Sequence, residues 1–222
     1  MANFKVKITE VTPLVTNVFR IRTEKPAGYN FSPGQATEVS LQYEGWEKEK
    51  RPFTFTCLPK DNFLEFTIKT YEDHQGVTKR ISTIAPGDEF EIGDAWGTIN
   101  YKGEGVFIAG GAGVTPFLSI LRDLHQKGAL GYNQLICSNK FEDEIICYDE
   151  LKSMLGDRFI NTITKQNEPE LHIGRIDKEY LQAHIKDFNQ QFYVCGPQGF
   201  TKTILGILKE SGANAEGLVF EQ

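Results

Sequence analysis

The chain has 222 residues, 40% of them hydrophobic and sixteen of them Phe, which suggests one large domain or two small ones with ample core material. Its net charge is −6, split as 13 basic and 14 acidic residues over 1–103 and 11 and 16 over 104–222; an acidic second half argues against nucleic acid, whose affinity comes from neutralised phosphates. No apolar run of about 18 residues and no signal-peptide core occurs, so a cytoplasmic protein with no membrane segment is expected.

From the start to residue 103 the rhythm is period two. FKVKITEV, NVFRIRTE, ATEVSLQY, RPFTFTC, FLEFTIKTY and DEFEIGDAWGTI each alternate, with turn signals such as SPGQ, YEGW, PKDN and APGD between them. Six closely spaced strands predict a small antiparallel β-barrel, with one short helix around VTKRISTIA. After YKGEG the rhythm changes. GVFIAGG reads as a buried strand. TPFLSILRDLHQKG reads as a helix with Thr115 as N-cap, Pro116 at the first helical position and Gly128 past the end. QLICSN is a strand, EIICYDELKSML a helix and RFINTIT a strand. DKEYLQAHIKDF is a helix capped by Asp177, with Tyr180, Leu181, Ile185 and Phe188 on one face. QFYVCG, GFTKTILGILKESG and EGLVFEQ close the chain as strand, helix and strand. This alternation predicts a parallel, Rossmann-like sheet wrapped by helices, with ligands at the carboxyl ends of its strands. The predicted organisation is therefore two domains, 1–103 and 104–222.

Four stretches carry chemistry. In RPFT an arginine at a strand start can pair with a phosphate, the next aromatic can lie against a flat ring, and Thr54 can hydrogen-bond a ring nitrogen; together they read as a seat for a flavin nucleotide, while the motif alone reads first as a surface arginine before an ordinary strand. HQGVTKRI puts Gly76, Val77 and Thr78 at a helix start, where backbone amides favour an anion. AGGAGVTP joins a strand to a helix through Gly110, Gly111 and Gly113, although Pro116 stands where a G-x-G-x-x-G motif has its third glycine. YVCGPQGF repeats the design with Cys195, Gly196 and Pro197. The cysteines at 57, 137, 147 and 195 are too far apart for zinc pairs or an iron–sulfur set, so no metal is expected and the thiols are read as reduced. His74, His125, His172 and His184 are read as surface or structural.

RPFT, GVT, GGAGVTP and CGP, in this order across a barrel and an α/β half, resemble the ferredoxin–NADP⁺ reductase family, which includes cytochrome b5 reductases and oxygenase reductase components. The resemblance covers residues 4–222 and lacks an iron–sulfur domain. It implies FAD as cofactor and NADH or NADPH as hydride donor. It implies Arg51 on the flavin pyrophosphate, Pro52 and Phe53 (where the family usually has Tyr) against the flavin, and Thr54 near its reactive nitrogen. Ile68, Lys69 and Thr70 would run beside the ribityl chain, and Gly76, Val77 and Thr78 would hold the pyrophosphate. Gly111, Gly113, Thr115 and Pro116 would line the dinucleotide site, and Cys195, Gly196 and Pro197 would sit by the nicotinamide. Phe220 would cover the flavin, with Glu221 a charge near the ring. Ser138 and Lys140 could hold a 2′-phosphate, but the acidic residues that follow favour NADH. The expected activity is hydride transfer from NAD(P)H to FAD and onward electron transfer to an external ferredoxin, flavodoxin, cytochrome or oxygenase. A non-catalytic relay or sensory subunit, and a reductase of free flavin or ferric siderophore, are the alternatives.

Overall fold

The structure, a computed structural model, describes residues 3–71, 76–165 and 172–220. The alternating stretches form six antiparallel strands: β1 (Phe4–Val15), β2 (Val18–Glu24), β3 (Ala36–Leu41), β4 (Arg51–Thr54), β5 (Phe63–Lys69) and β6 (Glu89–Ile92). Their order is β4-β3-β6-β1-β2-β5. β1 is long because it pairs with both β6 and β2, and a register shift beside Pro13 accommodates a residue with no backbone donor. The sheet rolls until its two edge strands meet. A bridge between Phe55 and Phe66, and the Thr56 amide donating to the Glu65 carbonyl at 2.8 Å, join them. Among the described residues, 51–54 and 67–69 each keep one edge with no strand beside it. Val6, Ile21, Val39, Phe55, Phe66 and Phe90 fill the barrel, and helix α1 (Val77–Ile81) buries Val77 and Ile81 in the same core.

The second half is a parallel sheet. Its strands β7 (Gly105–Gly110), β8 (Gln134–Asn139), β9 (Phe159–Ile163), β10 (His172–Ile173), β11 (Gln191–Cys195) and β12 (Leu218–Phe220) run in the order β10-β9-β8-β7-β11-β12. Helices α2 (Thr115–Gln126), α3 (Tyr148–Leu155), α4 (Lys178–His184) and α5 (Gln198–Glu210) connect them. Both sheet faces are buried, which is why the strands read as continuous apolar runs. Phe107, Leu135 and Tyr193 face one layer with Phe117, Leu121 and Leu151; Ile108, Ile136 and Phe192 face the other with Leu181 and Ile204. The chain direction of assembly reverses at β7, between β8 and β11, the usual place for a ligand crevice. Among the described residues no helix is long and apolar enough to cross a membrane.

Several boundaries differ from the sequence-based expectation. Thr115 is not an N-cap: residues Gly111–Val114 wind as a 3₁₀ turn into α2, and the Thr115 hydroxyl donates backwards to the Ala112 carbonyl at 3.0 Å. The helix expected over EIICYDELKSML begins only at Tyr148. Ile145 and Ile146 plug the core, and Cys147 turns the chain in a left-handed conformation at φ 54°. α4 stops at His184, so Ile185 and Phe188 lie beyond it, while the Asp177 cap is present, accepting from the Tyr180 amide at 2.8 Å. β6 ends at Ile92, and Trp96 makes only an isolated bridge with Ala36. β10 has no counterpart in the expectation.

The two halves meet along α2. The Ser119 hydroxyl donates to the Cys57 carbonyl at 2.8 Å. Arg122 donates through Nη1 to the Thr56 carbonyl at 2.5 Å and to Glu65 Oε1 at 2.8 Å, and through Nε and Nη2 to both oxygens of Glu150 at 2.6 and 2.8 Å. The other Glu65 oxygen accepts from Arg22 Nε at 2.9 Å. Glu65 is 3% exposed and Arg122 17%, so the Arg122–Glu65 pair is largely shielded from solvent, while Glu150 is 39% exposed. Gly34 of the barrel packs where Ile99 and the Ile120 side chain of α2 come together.

Candidate functional site

A cleft of about 1230 Å³ runs between the two halves. That is more than the roughly 300–1,000 Å³ of an ordinary small-molecule pocket, and enough for two large ligands side by side. The barrel lines it with Pro52, Phe53 and Thr54 of β4, Thr67, Ile68 and Lys69 of β5, and Thr78 of α1. The unpartnered edges of β4 and β5 therefore face this space. The parallel sheet lines it with the turn after β7 (Gly111, Gly113, Thr115, Pro116), the end of β8 (Ser138, Lys140) and the turn after β11 (Cys195, Gly196, Pro197). Phe220, at the end of β12, completes the wall; its carbonyl accepts from the Thr98 hydroxyl at 3.0 Å, which ties the last strand to the barrel side.

The two glycine turns are built against each other. β7 and β11 are neighbours in register, Ala109 beside Cys195. A Cβ on Gly113 would lie 2.3 Å from the Cys195 carbonyl oxygen, so only glycine permits this approach. Cys195 is buried among the apolar side chains of the sheet and presents the strand end to the cleft. Across the cleft, Lys69 Nζ of β5 pairs with Glu144 Oε2 of the turn after β8 at 2.9 Å.

Most of the residues singled out in the sequence thus converge, from both halves, on one space. Four described ones do not line it. Arg51 stands exposed at the start of β4, donating to the Lys50 carbonyl at 2.7 Å and pairing with Glu49 at 3.4 Å. Thr70 is buried, its hydroxyl donating to the Asn17 carbonyl at 3.2 Å. Gly76 and Val77 open α1, with Val77 turned into the barrel core. Glu221 and His74 lie outside the described residues, as does the His172 side chain. The structure adds Tyr71 and Trp96, half-exposed aromatics on the cleft wall, together with Thr67, Glu144, Thr164 and Phe200. An aromatic directly after a strand or inside a WGT turn was the available signal for the first two. Among the described residues no group of three or more His, Cys, Asp and Glu is placed to hold a metal ion. The four cysteines form no disulfide; burial pushes the Cys57 thiol up to about 12 and the Cys147 thiol up to about 11.

The donors and walls of the cleft fit a flavin nucleotide beside a dinucleotide. Hydroxyls at 54, 67 and 78 and the amides of an unpaired strand edge suit ring and phosphate polar atoms; Phe53, Ile68, Trp96 and Phe220 supply flat or apolar surface. Comparison with known proteins agrees. Residues 2–93 match the family described as FAD-binding domain, and residues 107–205 match the oxidoreductase NAD-binding domain. The propane 2-monooxygenase reductase component of Rhodococcus jostii (strain RHA1) is 24% identical over 98% of this chain and 63% of its own length. The flavohemoprotein of Halalkalibacterium halodurans is 27% identical over 82% of this chain and 49% of its own length. The chain thus spans less than two thirds of either relative. A ferredoxin NADP⁺ reductase from Neisseria gonorrhoeae, solved with bound FAD and NADP, superposes with a TM-score of 0.86 at 20% identity, covering 100% of this chain and 98% of that one. The cytochrome b5 reductase domain of Ulva prolifera nitrate reductase gives 0.85 at 17% identity, over 99% and 97%. At such identity these two likenesses concern the fold.

Proposed function

We propose that the chain, which matches an FAD-binding domain over residues 2–93 and the oxidoreductase NAD-binding domain over 107–205, is a member of the ferredoxin–NADP⁺ reductase family and carries electrons from a reduced nicotinamide dinucleotide, through FAD, to an acceptor outside this chain. The division of labour would be residues 1–103 for FAD and 104–222 for the dinucleotide. One observation carries the reading: the β4 and β5 edges and both glycine turns face a single cleft, so ligands held by the two halves share one space. The chemistry supplied by bound FAD is acceptance of hydride and release of the electrons one or two at a time.

The chain's own tasks are binding, orientation and exclusion of water. Phe53 and Thr54 would seat the ring, and Ile68 and Lys69 would run along the chain between ring and phosphates. Thr78 with the amides at 76–77 would receive phosphate oxygens, joined by Arg51 on exchanging Glu49 for the phosphate. Gly111, Gly113, Thr115 and Pro116 would let the dinucleotide lie on the end of β7. Cys195, Gly196 and Pro197 would bound the nicotinamide, and Phe220 would cover the flavin. NADH is the preferred donor in this reading: exposed Lys140 is followed by Glu142, Asp143 and Glu144, carboxylates that oppose a 2′-phosphate. Cysteines that form no disulfide suit the cytoplasm as its compartment.

The experiment is direct. Purified protein should show a flavin spectrum, and mass spectrometry of the heat-released cofactor should find FAD. Anaerobic titration should bleach that flavin with one equivalent of NADH, and kcat/KM should be higher for NADH than for NADPH. Colourless protein, FMN in place of FAD, or a flavin that neither coenzyme reduces would each defeat the reading.

A further inference from the structure

We propose that Arg122, gripped between Glu65 and Glu150, is a positioning residue for hydride transfer: it bolts α2 to the barrel and so sets the spacing between the two parts of the cleft. The inference rests on the reading of that cleft as a shared flavin and nicotinamide site.

α2 is a rigid connector. Its first residues, Thr115 and Pro116, line the cleft; Ser119 and Arg122, spaced as neighbours on one helix face, hold the barrel. Arg122 stands six positions after Pro116, or about 9 Å along the helix. The barrel side is as short. Thr56 and Cys57, whose carbonyls are gripped by α2, follow the cleft-lining residues 52–54 with only Phe55 between. Glu65 stands two residues before cleft-lining Thr67. The Thr56 hydroxyl joins them, 3.0 Å from Glu65 Oε1 and 3.3 Å from the Thr67 hydroxyl. A shift at Arg122 is therefore passed, with little slack, to both walls.

The residue type suits the task. Arg122 makes four hydrogen bonds to four oxygens of three residues from three nitrogens fixed in a plane; a lysine has one nitrogen on a flexible stem. A shielded ion pair adds little net stability over an apolar pair of like volume, so registration between two bodies is the better account of its presence here. The other ionic crossing named above, Lys69 to Glu144, lies in the cleft wall itself, where an arriving ligand competes for both groups. Arg122 crosses behind the wall. Reacting atoms need to be held at about 3–3.5 Å, and a misplacement of about 1 Å costs roughly a hundredfold in rate.

The test uses the full chain as purified, with Arg122→Met, Arg122→Lys, Ser119→Ala, Glu65→Gln and the Arg122→Met/Glu65→Gln double variant. Stopped-flow flavin reduction at saturating NADH, with C4-deuterated coenzyme in parallel, reads the hydride step. Amide hydrogen exchange reads the seam without turnover. Arg122→Met should retain flavin, and dithionite should reduce it at the wild-type rate, while the limiting rate with NADH falls roughly 10–100-fold. Arg122→Lys and Ser119→Ala should fall between, and the double variant should be no slower than Arg122→Met. Exchange should rise at residues 56–57 and 113–117 but not in β8 or β9. Should Arg122→Met fail to hold flavin, Arg122→Lys and Ser119→Ala make the same comparison. Limiting rates equal to wild type in every flavin-loaded variant, even with lowered Tm, would overturn the proposal alone. A wild-type flavin that neither coenzyme reduces would overturn the function and this inference together.

Discussion

Arg51 and Gly113 show how a single residue can be informative for opposite reasons. Arg51 is exposed and weakly engaged, its Glu49 contact a surface pair worth little. It is therefore free to change partner, and a charge-assisted bond to phosphate is worth about 1.5–3 kcal/mol. Arg51→Ala should leave the fold intact and weaken FAD retention about tenfold or more, as read by flavin content after dialysis. Gly113 has no freedom at all. A methyl group placed 2.3 Å from the Cys195 carbonyl must push the two glycine turns apart. Gly113→Ala should cost about 1–3 kcal/mol of stability and weaken coenzyme binding in a titration, with flavin still bound by the barrel. The sequence singled out both residues, because RPFT and GGAGVTP are local patterns. Arg122 was not. Its partners at 56, 65 and 150 are distant in the chain, and on a helix wheel it is one more charged position.

At the scale of the element, strand existence followed from alternation and helix existence from apolar period, since one buried face per strand or helix dictates each. What failed was the ends. The turn after β7 enters α2 through a 3₁₀ segment, so a Thr-Pro pair that imitates a cap falls inside the helix. Ile145 and Ile146 carry a helical-looking apolar run into the core before the helix starts, and a left-handed Cys147 leaves no trace in composition. Asp177 was recognisable because its cap is purely local. Asp177→Ala should therefore destabilise the protein by about 1 kcal/mol, lowering the urea midpoint with the slope unchanged and the flavin spectrum unaltered.

For the whole molecule, the seam along α2 makes stability depend on acid. Burial works against the Glu150 carboxylate, but the bonds and charge of Arg122, together with Cys147 and Arg20, outweigh burial and hold its pKa below the ordinary carboxylate range. The folded state then binds a proton at Glu150 less readily than the unfolded chain. Its contribution is fully present above the unfolded carboxylate pKa of about 4.3 and is lost as pH falls through the lower folded value. Calorimetry between neutral pH and the acid limb should show wild-type Tm dropping more steeply than that of Glu150→Gln, the two curves converging in acid. The barrel carries a different liability. Its closure rests on residues 55–56 and 65–66, and the strand edges beyond them, at 51–54 and 67–69, are open to the cleft. Open edges are templates for pairing with another chain, and Pro52 blunts only one position. A flavin held along them, as proposed, would act as a solubilising shield as well as a redox group. Protein stripped of flavin should scatter light on gentle warming under conditions that leave the loaded protein clear, and added FAD should suppress the scattering; the supply of flavin during synthesis would then govern how much protein escapes aggregation.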